Sequence, residues 1–194
     1  MKMRLDLRAA TIILATLGLS LGCAKPPAPE QPASTRVENA DLGIALAAIP
    51  QPFEVTTNEA ASLELSADGP AGPGMVVIGV GPETVGGINL VAEAEGTQAW
   101  FEERTDGQYF GNLELVTQLG PAFTARGSYR DASEEIEELR VFMLHPSVNR
   151  LLTVVYRYPP GEGKDRMQHL AELLGEIEAL EIAPHEASSS GADN

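Results

Sequence analysis

The alternation of apolar and polar side chains predicts three consecutive strands in the second half of the chain. Residues 122–130 alternate strictly, which indicates a strand with one buried and one exposed face. Residues 138–144 and 150–158 are apolar on both faces in their centres, and such strands need cover on both sides of a sheet. The connections between the three segments are short, as in antiparallel hairpins.

Shorter patterns complete the predicted order of elements. Four further apolar runs predict strands at residues 42–46, 62–66, 75–80 and 113–119. Two segments have helical spacing instead. Residues 93–104 predict a short helix that stops near Gly107, and residues 164–182 predict a long C-terminal helix that ends before Pro184.

This order of elements predicts an α+β fold, in which an antiparallel β-sheet is covered by helices. Residues 38–182 have the length of one domain. Residues 183–194 are mostly polar and small, so they are expected to form a disordered tail.

The N-terminus has the parts of an export signal. Lys2, Arg4 and Arg8 form a basic region, and residues 9–21 form an apolar region. A helix needs about 20 apolar residues to cross a bilayer, so this stretch is too short for a membrane-spanning segment. Residues 1–22 are therefore interpreted as a cleaved signal peptide.

The only cysteine of the chain, Cys23, follows that signal directly in the run Leu19-Ser20-Leu21-Gly22-Cys23. The run resembles the lipobox of bacterial lipoproteins, in which a small residue precedes an invariant cysteine. The resemblance implies a diacylglyceryl group on the Cys23 thiol, cleavage before Cys23 and acylation of the new amine. Ser20 departs from the family pattern, which usually has Leu three places before the cysteine. The alternative is a conventional signal peptide followed by an incidental cysteine.

Residues 23–37 begin with this cysteine and continue as a proline-rich segment. Such a composition predicts an extended tether between a membrane anchor and a folded domain. Residue 24 is Ala and not Asp. By analogy with lipoprotein sorting in bacteria with two membranes, Ala24 favours the outer membrane, with the domain facing the periplasm. The sequence therefore predicts that the protein is attached to a membrane through the lipid anchor.

The charge of the chain narrows its possible partners. The full sequence has 13 basic and 28 acidic residues. Cleavage after residue 22 removes three basic residues and one acidic residue, which leaves 10 basic and 27 acidic residues and a net charge of about −17. A field of that sign repels phosphate backbones and anionic headgroups. Nucleic acid is therefore excluded as a partner, whereas cationic partners and divalent ions stay open.

The body of the chain resembles the PsbP-like fold over about residues 40–182. The resemblance rests on Leu42-Gly43-Ile44, Pro50, Phe53 and the sequence RLLTVVYRYP at 150–159. It implies an α/β/α sandwich, a fold shared by an extrinsic photosystem subunit, a Ran-binding import factor and many bacterial lipoproteins. That fold has no universal catalytic site, so no functional residue or cofactor carries over. A cystatin-like or ferredoxin-like sheet is the competing interpretation.

Sequence motifs for catalysis or for cofactors are incomplete. Residues 79–87 carry four glycines after a strand, but they lack the Lys-Ser/Thr pair of a P-loop and the dinucleotide-binding spacing. In residues 106–117, Phe110 and Thr117 stand where a calcium loop needs ligands. The three histidines lack metal-ligand spacing. Acidic residues at 134–138 are interpreted as a solvated turn. The sequence therefore predicts no catalytic residue, no metal site and no cofactor.

Four aromatic residues are candidates for partner contact: Trp100, Phe101, Tyr109 and Phe110. Aromatic side chains near the end of a helix can anchor a partner protein. They can equally close the core of a small domain, which a chain with 5% aromatic residues needs. Both interpretations stay open at the level of sequence.

Three functions are compatible with these observations. The first is a non-enzymatic, lipid-anchored envelope protein that binds a protein or small ligand or assists assembly. The second is an envelope hydrolase without a recognisable motif. The third is a binder of divalent cations or cationic ligands. An exposed aromatic patch favours the first function, a pocket of converging carboxylates or histidines the second, and metal-dependent thermal stability the third.

Overall fold

A computed structural model describes residues 35–70 and 72–180. The predicted signal peptide, Cys23, most of the tether and the predicted tail lie outside the described residues. The described chain forms ten strands and two helices: β1 Val37–Asn39, β2 Ile44–Leu46, β3 Phe53–Glu59, β4 Ser62–Ala67, β5 Gly74–Glu83, α1 Leu90–Glu102, β6 Gln108–Thr117, β7 Gly120–Asp131, β8 Glu134–Leu144, β9 Arg150–Tyr158, α2 Gly163–Gly175 and β10 Ile177–Ala179.

Seven of these strands form one antiparallel sheet in the order β3-β4-β5-β9-β8-β7-β6. Consecutive strands pair as hairpins, except that β9 inserts between β5 and β8. In the centre of the sheet, Val154 lies opposite Ile78 on one side and Val141 on the other. The remaining strands form a small sheet in the order β1-β2-β10.

One face of the large sheet carries the main core. Because side chains alternate along a strand, every second residue of β4, β5, β8 and β9 points to this face. Helix α2 and the small sheet pack on it, and they contribute Leu170, Leu173, Ile44 and Leu46. This packing buries these four side chains to 1% exposure or less.

The opposite face is covered by α1 over only part of its width. Asn89 caps the helix, since its side chain accepts hydrogen bonds from the backbone N–H groups of Val91 and Ala92. Helix α1 packs against β6, β7 and β8, and it buries Leu90, Ala94, Thr97 and Phe101. The strands on the other half of this face lie outside that contact.

The mixed α+β architecture with an antiparallel sheet is confirmed, but the long C-terminal helix is wrong. Helix α2 ends at Gly175, and Ile177–Ala179 form β10, which pairs with β2. Ile177 continues the apolar stripe of the helix, so its spacing alone fits a longer helix. Pairing with Ile44–Leu46, more than 130 residues earlier, wins because it buries Ile177 and adds a strand to the small sheet.

Strands β1 and β3 lie where the sequence pattern predicted no strand. Strand β3 forms one edge of the large sheet, and five of its seven residues are exposed. An edge strand with few buried positions produces little hydrophobic alternation, which explains why the pattern missed it.

The other edge of the sheet, β6, exposes apolar side chains. Leu113 is 63% exposed and Val116 is 88% exposed. A bulge between Tyr109 and Gly111 interrupts the start of the strand, whereas residues 111–117 pair regularly with β7. Natural proteins commonly protect such edges with charges, prolines or bulges.

Arg166 fixes the loop between β4 and β5. Its side chain is 1% exposed and donates hydrogen bonds to the carbonyl groups of Ala67 and Gly72 and to the Tyr156 hydroxyl. It also pairs with Glu162 at 2.6 Å. These contacts stabilise the loop by neutralising a buried charge and satisfying backbone acceptors.

Among the described residues, no helix has the length and apolar character needed to cross a membrane.

His145 joins the β8–β9 hairpin to the start of the domain. The Ser147 N–H donates to Nδ1 at 3.2 Å, so Nε2 carries the hydrogen and donates to the Leu42 carbonyl at 2.9 Å. Burial of the ring lowers the pKa of His145 below its ordinary value of 6.5. The folded protein therefore holds this histidine in the neutral form.

We expect the stability of the protein to fall as the pH drops below about 6.5, because the unfolded chain then binds a proton that folded His145 resists. Replacement His145→Gln keeps a donor near Leu42 but cannot be protonated. It should flatten this pH dependence, measured as the free energy of urea unfolding across the range. An unchanged profile in His145→Gln would contradict the assignment.

Candidate functional site

A buried carboxylate lies where the cover of α1 ends. Glu138 is on β8, points to the α1 face and is 0% exposed. Its Oε1 accepts a hydrogen bond from Arg140 Nε at 2.5 Å. Its Oε2 accepts one from Arg157 Nε at 2.7 Å and one from the Tyr129 hydroxyl at 3.0 Å. The hydrogen-bond donors to this one carboxylate thus come from three adjacent strands.

The register of the sheet explains this convergence. Arg157 on β9 lies directly opposite Glu138, and Gly127 on β7 lies opposite it on the other side. Arg140 is two residues along the same strand and therefore shares its face. A Cβ on Gly127 would lie 2.6 Å from the Phe101 ring, so only glycine lets α1 approach this closely.

The ring of Trp100, at the end of α1, contacts two arginines, Arg140 and Arg104. The guanidinium carbon of Arg140 lies 3.7 Å from the Trp100 ring centroid, and that of Arg104 lies 3.9 Å from it. Tyr129 meets the same ring edge-on at 5.4 Å and 90°. Cation–π contacts of this kind stabilise by about 0.5–2 kcal/mol each. We call Glu138, Arg140, Arg157, Tyr129, Trp100 and Arg104 the Glu138 cluster.

The surroundings of Tyr129 keep its phenol protonated. Burial, together with the charge of Glu138, raises the pKa of Tyr129 to about 12. Tyr129 therefore stays protonated near neutral pH and keeps donating to the carboxylate. Because the oxygens of Glu138 accept from three donors, the carboxylate acts as a structural anion that orients its neighbours.

Solvent reaches the cluster through shallow hollows at this end of the sheet. One hollow of about 410 Å³ is lined by Trp100, Arg104, Arg130, Asp131 and their neighbours. Another of about 280 Å³ is lined by residues that include Met75, Tyr129, Ile136, Arg157 and Pro159. Carboxylates of the β7–β8 hairpin stand at their rims. The cluster is thus a rigid base of aromatic and arginine side chains beneath an acidic rim.

The structure brings together three of the four aromatic residues singled out in the sequence. Phe101 is fully buried, and Tyr109 packs against it with the ring centroids 6.1 Å apart. Trp100 is half-buried in the Glu138 cluster. Phe110 is 49% exposed and lies in the β6 bulge, where the Arg126 guanidinium is 5.3 Å from its ring.

The sequence interpretation missed the centre of this site. It interpreted the acidic residues at 134–138 as a solvated turn, and that interpretation is wrong, because Glu134–Leu144 form β8 and Glu138 is wholly buried. The available signal was a Glu-x-Arg spacing within a strand. Its other partners, Tyr129 and Arg157, are 9 and 19 residues away in sequence and come close only through strand pairing. Among the described residues, no group of three or more potential metal ligands is arranged to hold an ion.

Comparison with solved structures identifies the fold. LpqN of Mycobacterium tuberculosis, described as involved in cell envelope biogenesis, is 11% identical, with a TM-score of 0.53; the match covers 78% of this chain and 88% of LpqN. The Ran-binding protein Mog1p of Saccharomyces cerevisiae is 11% identical, with a TM-score of 0.52; the match covers 76% of this chain and 96% of Mog1p. No protein-family model and no curated protein matches the sequence. At this identity the matches show a shared fold alone.

We expect Glu138→Gln to destabilise the domain by about 3 kcal/mol, because two arginines lose a buried counter-ion. The same change should lower the pKa of Tyr129, since the charge of Glu138 contributes to raising it. Urea unfolding and an absorbance titration of the phenol measure the two effects. Glu135→Gln, at an exposed site on the same hairpin, is the matched control and should cost less than about 0.5 kcal/mol. Equal stability of the two variants would contradict a structural role for the cluster.

Proposed function

We propose that this chain is a lipid-anchored lipoprotein of the bacterial envelope whose domain binds a partner protein and catalyses no reaction. The observation that carries the binding role is the Glu138 cluster. Trp, Tyr and Arg are the residues most enriched at the energetic centres of protein interfaces. Here Glu138 holds Tyr129, Arg140 and Arg157 directly. Arg140 in turn contacts the Trp100 ring, so all three types are ordered before a partner arrives, which lowers the entropic cost of binding.

The chemistry of the site supports recognition over hydrolysis. Glu138 is the buried carboxylate of the cluster. Its oxygens already accept three hydrogen bonds and it is 0% exposed, so a substrate cannot reach it. His145 is buried at the opposite end of β8, with both ring nitrogens engaged. The hydrolase and cation-binding alternatives have no comparable arrangement among the described residues.

Attachment to the envelope is supported by the N-terminal sequence. Cys23 follows an apolar segment and precedes a proline-rich tether, the order found in bacterial lipoproteins. The description of LpqN as involved in cell envelope biogenesis fits the same location. Ala24 favours the outer membrane, with the domain held in the periplasm. Two or three acyl chains on one residue would make the attachment stable, because a single chain binds only marginally.

We expect Cys23→Ser to abolish incorporation of a labelled fatty acid and to move the protein from the membrane fraction to the soluble periplasmic fraction. The thiol is the attachment point, and serine offers no equivalent nucleophile to the modifying enzyme. Ser20→Leu, which restores the usual lipobox residue, is the control and should keep the label. Labelling that persists in Cys23→Ser would contradict the anchor.

We expect a photo-crosslinking residue at position 130, on the rim of the Glu138 cluster, to capture a defined partner in the native host. The same residue at exposed position 164 should not capture it. Trp100→Ala should lower the yield at position 130 on the order of tenfold, because truncating an interface centre typically costs 2 kcal/mol or more. A crosslink that does not depend on Trp100, or none at any surface position, would contradict the binding role.

A further inference from the structure

The α1 face of the large sheet has an uncovered half. Strand pairing places Glu64, Val77 and Val155 in one row across β4, β5 and β9, and it places Met75 and Arg157 in the next row. Gly79 and Thr153 form a third row. We call Glu64, Met75, Val77, Gly79, Thr153 and Val155 the open half-face.

The apolar character of this face is unusual. Strands β5 and β9 are the third and fourth of seven, and a solvated face of an antiparallel sheet normally carries polar side chains. On their other face, Ile78 and Val154 are 0% exposed. On the open half-face Val77 and Val155 are half-buried, and Met75 is 38% exposed. The same two strands are therefore buried on one face and only partly buried on the other.

The open half-face has the dimensions of a helix site. Strands lie about 4.8 Å apart, so the four strands from β3 to β9 span about 14 Å. A helix with its side chains is about 10 Å wide. Arg140 and Trp100 form the wall on the α1 side. The floor is low at Gly79, where an added Cβ would meet only a carbonyl oxygen at 3.9 Å, so a partner can approach closely.

The net charge of this face determines the charge that a partner needs. Glu54, Glu59 and Glu64 share the face on β3 and β4, and none of them has an ion pair within the part of the chain that the structure describes. On the opposite wall, Arg140 and Arg157 share Glu138, which leaves one positive charge there. The three carboxylates outnumber it, so the net charge that a partner meets on this face is negative.

We propose that the open half-face binds a basic amphipathic helix of a partner protein. The apolar stripe of that helix would lie on Met75, Val77 and Val155, and its lysines or arginines would pair with the carboxylates of β3 and β4. The helix would take the place beside α1 that a second covering helix would occupy. This inference rests on the proposed protein-binding function and names the surface and chemistry of the partner.

The chemistry of the face favours a helix from a different protein. The backbone groups of β4, β5 and β9 are already paired within the sheet, so an added strand finds no donors or acceptors there. A second copy of the chain would present α1, whose exposed side carries Glu93, Glu95 and Glu102. Like charges would then oppose each other across the interface.

The test uses a designed helical peptide with a Leu/Ala stripe flanked by lysines, and a twin with glutamate at every lysine position. Binding is measured by fluorescence anisotropy to the mature chain carrying Cys23→Ser. We expect the lysine peptide to bind with an affinity that falls as salt rises. The glutamate twin should not bind. Equal binding of the twin would overturn the charge assignment.

Two matched variants locate the binding surface. Val77→Arg places a bulky cation on the open half-face, and Leu113→Arg makes the same change of charge on the exposed edge strand β6. Val77→Arg should weaken the lysine peptide by about tenfold or more, whereas Leu113→Arg should change the affinity less than about twofold. Circular dichroism spectra and melting temperatures confirm that both variants are folded. Equal losses in the two variants would overturn the location.

Glu59→Gln provides a second test if Val77→Arg does not fold. It is a conservative change at an exposed site, and it should weaken the lysine peptide and flatten its salt dependence, while Glu172→Gln on α2 should do neither. Equal effects of the two would overturn the inference.

Crosslinking in the native host separates this inference from the proposed function. A photo-crosslinking residue at position 77 should join the partner found from position 130, within a segment that is basic and helical. A Trp100-dependent crosslink from position 130, with none from position 77, would overturn the helix site and leave the binding function standing. A crosslink from position 77 within an acidic or strand-forming segment would overturn the helix site as well.

Discussion

The structure on the α1 side depends on the buried charge of Glu138. Hydrophobic cover from α1 ends at Trp100, and the next layer of the sheet is held by a carboxylate with two arginines and a phenol. A buried carboxylate is tolerated only when its hydrogen bonds are complete. One of these arginines, Arg140, in turn contacts the Trp100 ring. One charge thus sets the position of the last helical turn and of the side chains around it.

The two faces of the large sheet differ in how completely they are covered, and the proposed binding function rests on that difference. Helix α2 and the small sheet close one face, where the apolar residues of four strands are excluded from water. On the other face a single helix covers three of the seven strands. A binding surface made in this way needs no special pocket, because the exposed sheet supplies a firm floor and the Glu138 cluster supplies one wall.

The sequence was informative where local pattern and tertiary structure agree. The segments predicted as strands at 122–130, 138–144 and 150–158 lie within β7, β8 and β9, because each has a face that is buried along its length. The exposed face predicted for residues 122–130 is wrong, since Thr124 and Ser128 on that face are buried. Helix α2 was predicted too long, since Ile177 satisfies the helical spacing as well as it satisfies pairing with β2. Phe110 was grouped with Trp100, but a one-residue bulge places it elsewhere. No local pattern specifies a bulge or a pairing between distant segments.

The position of Glu138 in the site likewise could not be predicted from local sequence pattern. It ends a run of acidic residues, and in such a run burial and exposure look alike in sequence. Its burial depends on Arg157, which is placed opposite it by the insertion of β9 between β5 and β8. That insertion is a property of the whole sheet, so the cluster could be found only from the fold.

The exposed edge of β6 gives the acidity of the chain a second role. Residues 111–117 form a flat edge with one charge, Glu114, and with Leu113 and Val116 open to water. Chains confined to a membrane surface meet far more often than chains in free solution, and edges of this kind can join into continuous sheets. Mutual repulsion between acidic domains opposes such joining over a distance of about 8 Å at physiological ionic strength. If the chain is anchored as proposed, its net charge acts as a colloidal stabiliser that keeps neighbouring domains dispersed and adds to the protection given by Glu114 and by the bulge between Tyr109 and Gly111.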